Sequence, residues 1–331
     1  MHNALYLLPA ALLGATLLIS PALAEDGAAP SGTAPSGSAP AASQTEAKPK
    51  PQTSWKKEAP PRVSRIQNPD RTFTPGADYD TIIERGWMSF GVYEDFAPYS
   101  WIEDGEHKGL DVELGRMIAE EFGVEARFTV MGADETVDDD LRNYVWKGPL
   151  IGGDVVNVMM HVPYHREFAI RNELVVLTGL YMTESVGIAY SKTAYPDDPP
   201  TPAYFRYDLV GVENDSLADF YLSSAFGGQL ATKTRRFTAT ADAMAALRAG
   251  EVKAVMGPLA QIEFGLDADT AVHSPPLPGL AIGNWPLGIA LRHNYRQLGY
   301  AVDDAIRAAR ESGRLQAVFE RYGLSYTDPP F

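Results

Sequence analysis

Arg166 is the side chain in this sequence best suited to gripping an anion. Its planar guanidinium fork matches a carboxylate with two charge-assisted hydrogen bonds; the alternative is a surface arginine paired with Glu167 or Glu173. Asp215 and Ser216 open a predicted helix directly after a predicted strand. The first backbone N–H groups of a helix lack partners within it and form an anion site. The same pair reads equally as an ordinary N-cap, and Glu213, Asp215 and Asp219 crowd that turn with negative charge and no neighbouring basic residue. Tyr93, Phe96 and Trp101 offer flat faces for stacking a ligand, or else serve as core aromatics. Trp146, beside Lys147-Gly148-Pro149, is a further candidate to line a cleft. His161 sits among Val158, Met159, Met160 and Val162, which predicts a satisfied interior histidine, with a pocket donor as the sharper alternative.

Other chemistries find little support. The chain has no cysteine, which removes disulfides, thiol nucleophiles and thiolate metal sites. His161 and His165 are four apart, but Pro163 lies between them, so they do not form a helical metal pair. No G-x-S-x-G elbow, P-loop or G-x-G-x-x-G fingerprint falls at a strand–helix junction. No catalytic residue, metal or cofactor is therefore expected; an enzyme would need a general acid, for which only Glu94 or Asp95 offers itself. With 43 acidic and 28 basic residues the net charge is −15, the wrong sign for neutralising nucleic-acid phosphates.

These side chains need rigid elements to hold them, and the hydrophobic pattern supplies an alternation of the two kinds. Strands are predicted at 87–93, 124–130, 155–160, 186–190, 209–212 and 254–256. Helices are predicted at 110–122, 137–147, 216–223, 241–249, 297–309 and 314–322. Leu114, Met117, Ile118 and Phe122 share one face of the first of these. Leu298, Val302, Ala305, Ile306 and Ala309 share a face of the fifth, and Leu315, Val318, Phe319 and Tyr322 of the last. Alternating βα units imply an α/β fold with largely parallel sheets, which bind ligands at the carboxyl ends of their strands. Ahead of this, residues 1–24 read as a signal peptide, with an apolar stretch at 4–19 and Ala22-Leu23-Ala24 as the cleavage site. Residues 25–69 are rich in Ala, Pro and Ser and read as a flexible tether, with order beginning near Asp70.

Six stretches in this order resemble the family 3 extracellular solute-binding proteins, the receptors of polar amino-acid ABC importers. They are 91–101 (GVYEDFAPYSW) with 109–114 (GLDVEL), 154–166 (DVVNVMMHVPYHR), 178–181 (TGLY), 209–220, 251–256, and 313–323 with its closing Tyr322-Gly323. The resemblance implies a two-lobed type II periplasmic binding protein fold. Lobe 1 would comprise 70–182 plus 285–331, lobe 2 would comprise 183–284, and two crossings, near 181–185 and 281–285, would form the hinge. It implies a periplasmic receptor for a small anionic or zwitterionic ligand, an amino acid or organic acid, delivered to an ABC permease in the inner membrane. In the family the arginine matching Arg166 grips the ligand's α-carboxylate, and an aromatic matching Phe96 stacks on the ligand.

Two departures bear on the ligand. Gly257 is expected where amino-acid-binding members carry an aspartate for the ligand's ammonium, and Pro163 stands where a threonine is common. An ammonium brought into a dry cleft without a carboxylate is costly, so the sequence favours a carboxylate lacking the amine unless Glu263 bends inward. The same fold also serves accessory proteins of periplasmic quinoprotein alcohol dehydrogenases and a dehydratase of cyclohexadienyl acids. The departures, with the insertion at 138–152, leave the accessory role as the alternative.

Overall fold

The computed structural model describes residues 76–149 and 153–330; the expected signal peptide (1–24), the tether (25–69) and the start of order near Asp70 lie outside these residues. Helix α1 (Tyr79–Arg85) is capped by Asp78 and ends on Gly86 at φ 74°, a left-handed turn that glycine adopts without strain. It leads into β1 (Trp87–Tyr93), then a hairpin of β2 (Trp101–Glu103) and β3 (Glu106–Lys108). Next come α2 (Leu110–Glu121) and β4 (Glu125–Met131). Helix α3 (Val137–Leu141) continues as a π-helical turn at Arg142–Trp146, followed by β5 (Val158–Pro163) and α4 (Arg166–Arg171). Strand β6 (Val175–Ser191) is 17 residues long. Beyond it lie β7 (Val210–Glu213), α5 (Leu217–Gly228), β8 (Thr234–Phe237) and α6 (Thr240–Arg248). Then follow β9 (Ala254–Pro258), α7 (Leu259–Phe264) and β10 (Thr270–His273). Strand β11 (Asn284–Arg292) and helices α8 (Arg296–Glu311) and α9 (Arg314–Arg321) come last.

The strands run in the order β4-β1-β5-β11-β6-β9-β7-β8, with β10 also paired to β6. Two parallel triplets, β4-β1-β5 and β8-β7-β9, mark the two lobes. An antiparallel pair, β11 and β6, joins them. At roughly 3.3 Å per residue, β6 reaches about 55 Å. Its first half pairs with β11, and its second half, from Val186, pairs with β9 and β10.

Each lobe buries both faces of its strands, as parallel sheets require. In the first, Phe90, Leu114, Ile118, Leu291, Val302 and Phe319 pack under α2, α8 and α9. Met131, Leu141, Val145, Met159 and Ala290 pack on the other side. In the second, Ile188, Val210, Leu222 and Met256 form one core and Ala243, Leu247, Val255 and Ile262 the other. The apolar faces expected for the last two helices are the buried ones, Leu298 to Ala309 on α8 and Leu315, Val318 and Phe319 on α9.

The differences have local causes. The strand expected at 186–190 is the far half of β6; Thr183, Glu184 and Ser185 interrupt the apolar pattern in mid-strand, yet all three pair with β11. The helix expected at 137–147 keeps α geometry for one turn only before the π turn. The strand expected at 155–160 starts at Val158, because Asn157 turns its side chain onto the N–H of Ser89 (3.0 Å). Helix α5 extends past Ser223 to Gly228, through non-helical residues at Ala225, Phe226 and Gly227.

Candidate functional site

Strands β1 and β5 are parallel neighbours, with Phe90 opposite Val158 and Gly91 opposite Met159. Their carboxyl ends therefore deliver Phe96 and Arg166 to the same edge of the sheet, where ligand sites of such sheets form. Arg166 is the first residue of α4 and is exposed. Among the described residues its guanidinium has no hydrogen-bond or ion-pair partner, so the pairing with Glu167 or Glu173 does not form. Glu94 and Asp95 are exposed on the same edge.

Behind Phe96 lies a buried polar and aromatic cluster. The ring of Phe96 meets His161 edge-on (4.9 Å) and Tyr99 at a tilt (4.9 Å), and Tyr99 packs on His161 at 4.1 Å. His161 is 5% exposed, at φ 61°, in a stretch where β5 and β11 shift register. Its Nδ1 lies 3.3 Å from Asp111 Oδ2 and 3.4 Å from the hydroxyl of Tyr181, which donates to Asp111 Oδ1 (2.8 Å). This is the satisfied interior histidine. The hydroxyl of Tyr99 donates to Glu184 Oε2, while Glu184 Oε1 accepts from the N–H groups of Ser185 (2.7 Å) and Leu259 (3.1 Å). Burial pushes Glu184 above the usual carboxylate range and pushes Tyr99 far up, the latter with added push from Glu184 beside it.

The remaining lobe 1 candidates are tied down within the fold. Tyr93 is buried and donates to Asp140 Oδ2 (2.8 Å). Trp101, on β2, packs against Phe264 (5.4 Å) and Tyr322 (5.6 Å). Trp146 is half-buried against the core that holds Met159.

In the second lobe, β7 and β9 run parallel and bring Glu213 and Gly257 to one edge. Asp215 adopts a left-handed φ of 60°, and Ser216 caps α5 by accepting from the N–H of Asp219 (3.1 Å). The absence of a neighbouring basic residue does not hold in three dimensions. Arg236, from β8, grips both carboxylate oxygens of Asp219, at 2.9 and 2.8 Å. Glu213 is buried and accepts from the N–H and hydroxyl of Thr240 (3.1 and 2.7 Å), at the start of α6; burial raises its pKa. A Cβ on Gly257 would meet Ile262 and Thr240, each at 3.4 Å, so this position looks into the packing of α6 and α7. Glu263 accepts from the backbone and hydroxyl of Ser325 (2.8 and 2.6 Å).

Several members of this constellation carry no recognisable signal in the sequence. Glu184 falls in the expected crossing at 181–185, and Asp111 in the family-like stretch 109–114, with nothing local to show what either one partners. Arg236 lies twenty-one residues from Asp215, at a distance that only the β7–β8 pairing closes. Among the described residues no group of three or more His, Cys, Asp or Glu side chains is placed to hold a metal.

Residues 88–143 match the model of the bacterial extracellular solute-binding proteins, family 3. No curated protein sequence matches the chain significantly. Among solved structures, an ancestral cationic amino acid solute-binding protein (AncCDT-1) is 20% identical, with a TM-score of 0.61, over 74% of this chain and 99% of that one. A second structure of that ancestral protein, described as a precursor of cyclohexadienyl dehydratase, is 20% identical, with a TM-score of 0.54, over 74% and 98%. An amino acid ABC transporter substrate-binding protein from Streptococcus pneumoniae, bound to L-arginine, is 19% identical, with a TM-score of 0.53, over 76% and 99%. At these identities the likeness is one of fold, the two-lobed fold of periplasmic binding proteins.

Proposed function

Starting from a first lobe that opens with family 3 solute-binding sequence, we propose that this protein is a periplasmic receptor for a small carboxylate-bearing solute. An amino acid or organic acid would be held between the lobes and passed to an ABC permease. The observation that carries this reading is Arg166, exposed and unpartnered among the described residues at the edge it shares with Phe96. A guanidinium left without a carboxylate is a ready anion anchor, and closure of a cleft around it strengthens the pairing by excluding water. No helix of the described residues is long and apolar enough to cross a membrane, which fits delivery to a separate permease. Of the buried acids near Phe96, Glu184 accepts from the hydroxyl of Tyr99 and Asp111 from that of Tyr181.

One observation favours a second reading. The other polar candidates of the site, Tyr93, His161, Asp215 and Ser216, are engaged with this chain's own groups. Such a site suits an accessory protein of a periplasmic quinoprotein alcohol dehydrogenase, which works by protein contact.

Calorimetry with matched carboxylates, with and without an α-amine, tests the receptor reading. The wild type should bind at least one series, and Arg166→Ala should weaken binding by about 2–5 kcal/mol. Unchanged binding by the variant moves the ligand site elsewhere. A wild type that binds neither series, but binds a quinoprotein dehydrogenase, establishes the accessory reading in its place.

A further inference from the structure

Helix α7 divides its two faces between the lobes. Ile262 belongs to the second lobe's core, and Leu259 and Ile262 close over Gly187 of β6. Ala260, 2% exposed, belongs instead to the core of the first lobe. Glu263 and Phe264, three and four residues on, fall on the same side as Ala260 by helical periodicity. Glu263 accepts two hydrogen bonds from Ser325, in the segment after α9, and Phe264 packs against Trp101 of β2 and Tyr322 (6.4 Å). At the helix start, the N–H of Leu259 donates to Glu184, whose other oxygen is held by Tyr99 of the first lobe.

We infer that α7 is a clasp: a third connection between the lobes, besides β6 and β11, that holds them at one interlobe angle. Two strand crossings alone leave a hinge free to bend at a few residues. A helix anchored at its start by a buried carboxylate, in its middle by apolar burial and at its end by Ser325, Trp101 and Tyr322 resists that bending. Opening or closing the lobes must slide or release the Glu263 and Phe264 end, where the contacts are solvent-exposed and weakest. The clasp joins the lobes whatever ligand the cleft takes.

The chain has no cysteine, so two can be introduced for spin labels without removing native thiols. Glu121→Cys on α2 and Ala245→Cys on α6 are both exposed, one in each lobe. Pulsed electron–electron double resonance on the ligand-free, labelled protein should give one narrow distance distribution. Adding Glu263→Ala with Phe264→Ala should widen it at least twofold, with an unchanged circular dichroism spectrum. Phe264→Ala alone, at a 40% exposed site that threatens no core, should widen it by a smaller amount. A wild-type distribution already as broad as the variants', or an unchanged width in the folded Phe264→Ala protein, overturns the clasp.

Discussion

The hydroxyl of Tyr99 donates to the carboxylate of Glu184 at the point where β6 leaves the first lobe, and the two residues are only 1% and 2% exposed. Burial raises the pKa of Glu184, so its ionisation costs stability as pH rises through the folded value; donors to the charged form limit that cost. Tyr99→Phe removes one donor and pushes Glu184 higher still. The variant should lose about 1–3 kcal/mol, and more at pH 8 than at pH 5. Urea midpoints at the two pH values check this. Equal losses would mean that the hydroxyl does not serve the carboxylate.

A second acid gives a sharper pH window. Burial pushes Asp140 up to about 6, against the Tyr93 hydroxyl and the Asp134 N–H (both 2.8 Å), which favour its charged form. Because the folded value lies above the unfolded one, about 3.9, the penalty is absent below about pH 4 and complete above about pH 6. A rise of that size corresponds to about 3 kcal/mol. The stability of the wild type relative to Asp140→Asn should therefore fall by up to that amount between pH 4 and pH 7. Parallel stability curves for the two proteins would show that Asp140 titrates as it does in water.

The parts of the molecule legible in sequence are those where one periodicity governs. The buried faces of α8 and α9, and β1 to the residue, follow from apolar spacing alone. The connecting strand does not, because a strand serving two lobes changes its neighbours midway and carries polar residues at the change, Thr183 to Ser185. For the site, Phe96 and Arg166 are placed by strand ends, which a βα reading locates well. The groups around them are placed by long-range pairings, Glu184 with Tyr99 and Arg236 with Asp219, and local pattern holds no trace of either. Trp101 reads in sequence either as a ligand contact or as a core aromatic; in the fold its ring packs on Phe264 and Tyr322, because the β2–β3 hairpin carries it toward α7.

Gly257 links the ligand question to packing. Its expected meaning is the loss of an aspartate that would partner a ligand's ammonium, which predicts that Gly257→Asp switches preference toward α-amino acids. The geometry argues for a different outcome. A Cβ at this position meets Ile262 and Thr240 at 3.4 Å, ordinary contact that leaves space for one carbon beside α6 and α7. Thr240 is already bound to the buried carboxylate of Glu213, which lies at the same edge. An aspartate here would bring a second carboxylate toward Glu213 with no cation to meet it, and an unpaired buried charge is among the costliest single changes. Gly257→Asp should therefore lose more than about 2 kcal/mol of stability, with a smaller loss at pH 5, where protonation relieves the repulsion. Gly257→Ala, whose methyl fits the available contact distance, should stay within about 1 kcal/mol of wild type. Thermal unfolding of both variants at pH 5 and pH 8 separates the two accounts. A Gly257→Asp protein as stable as wild type, and newly able to bind α-amino acids by calorimetry, would place that side chain in the ligand cleft and restore the missing-aspartate explanation.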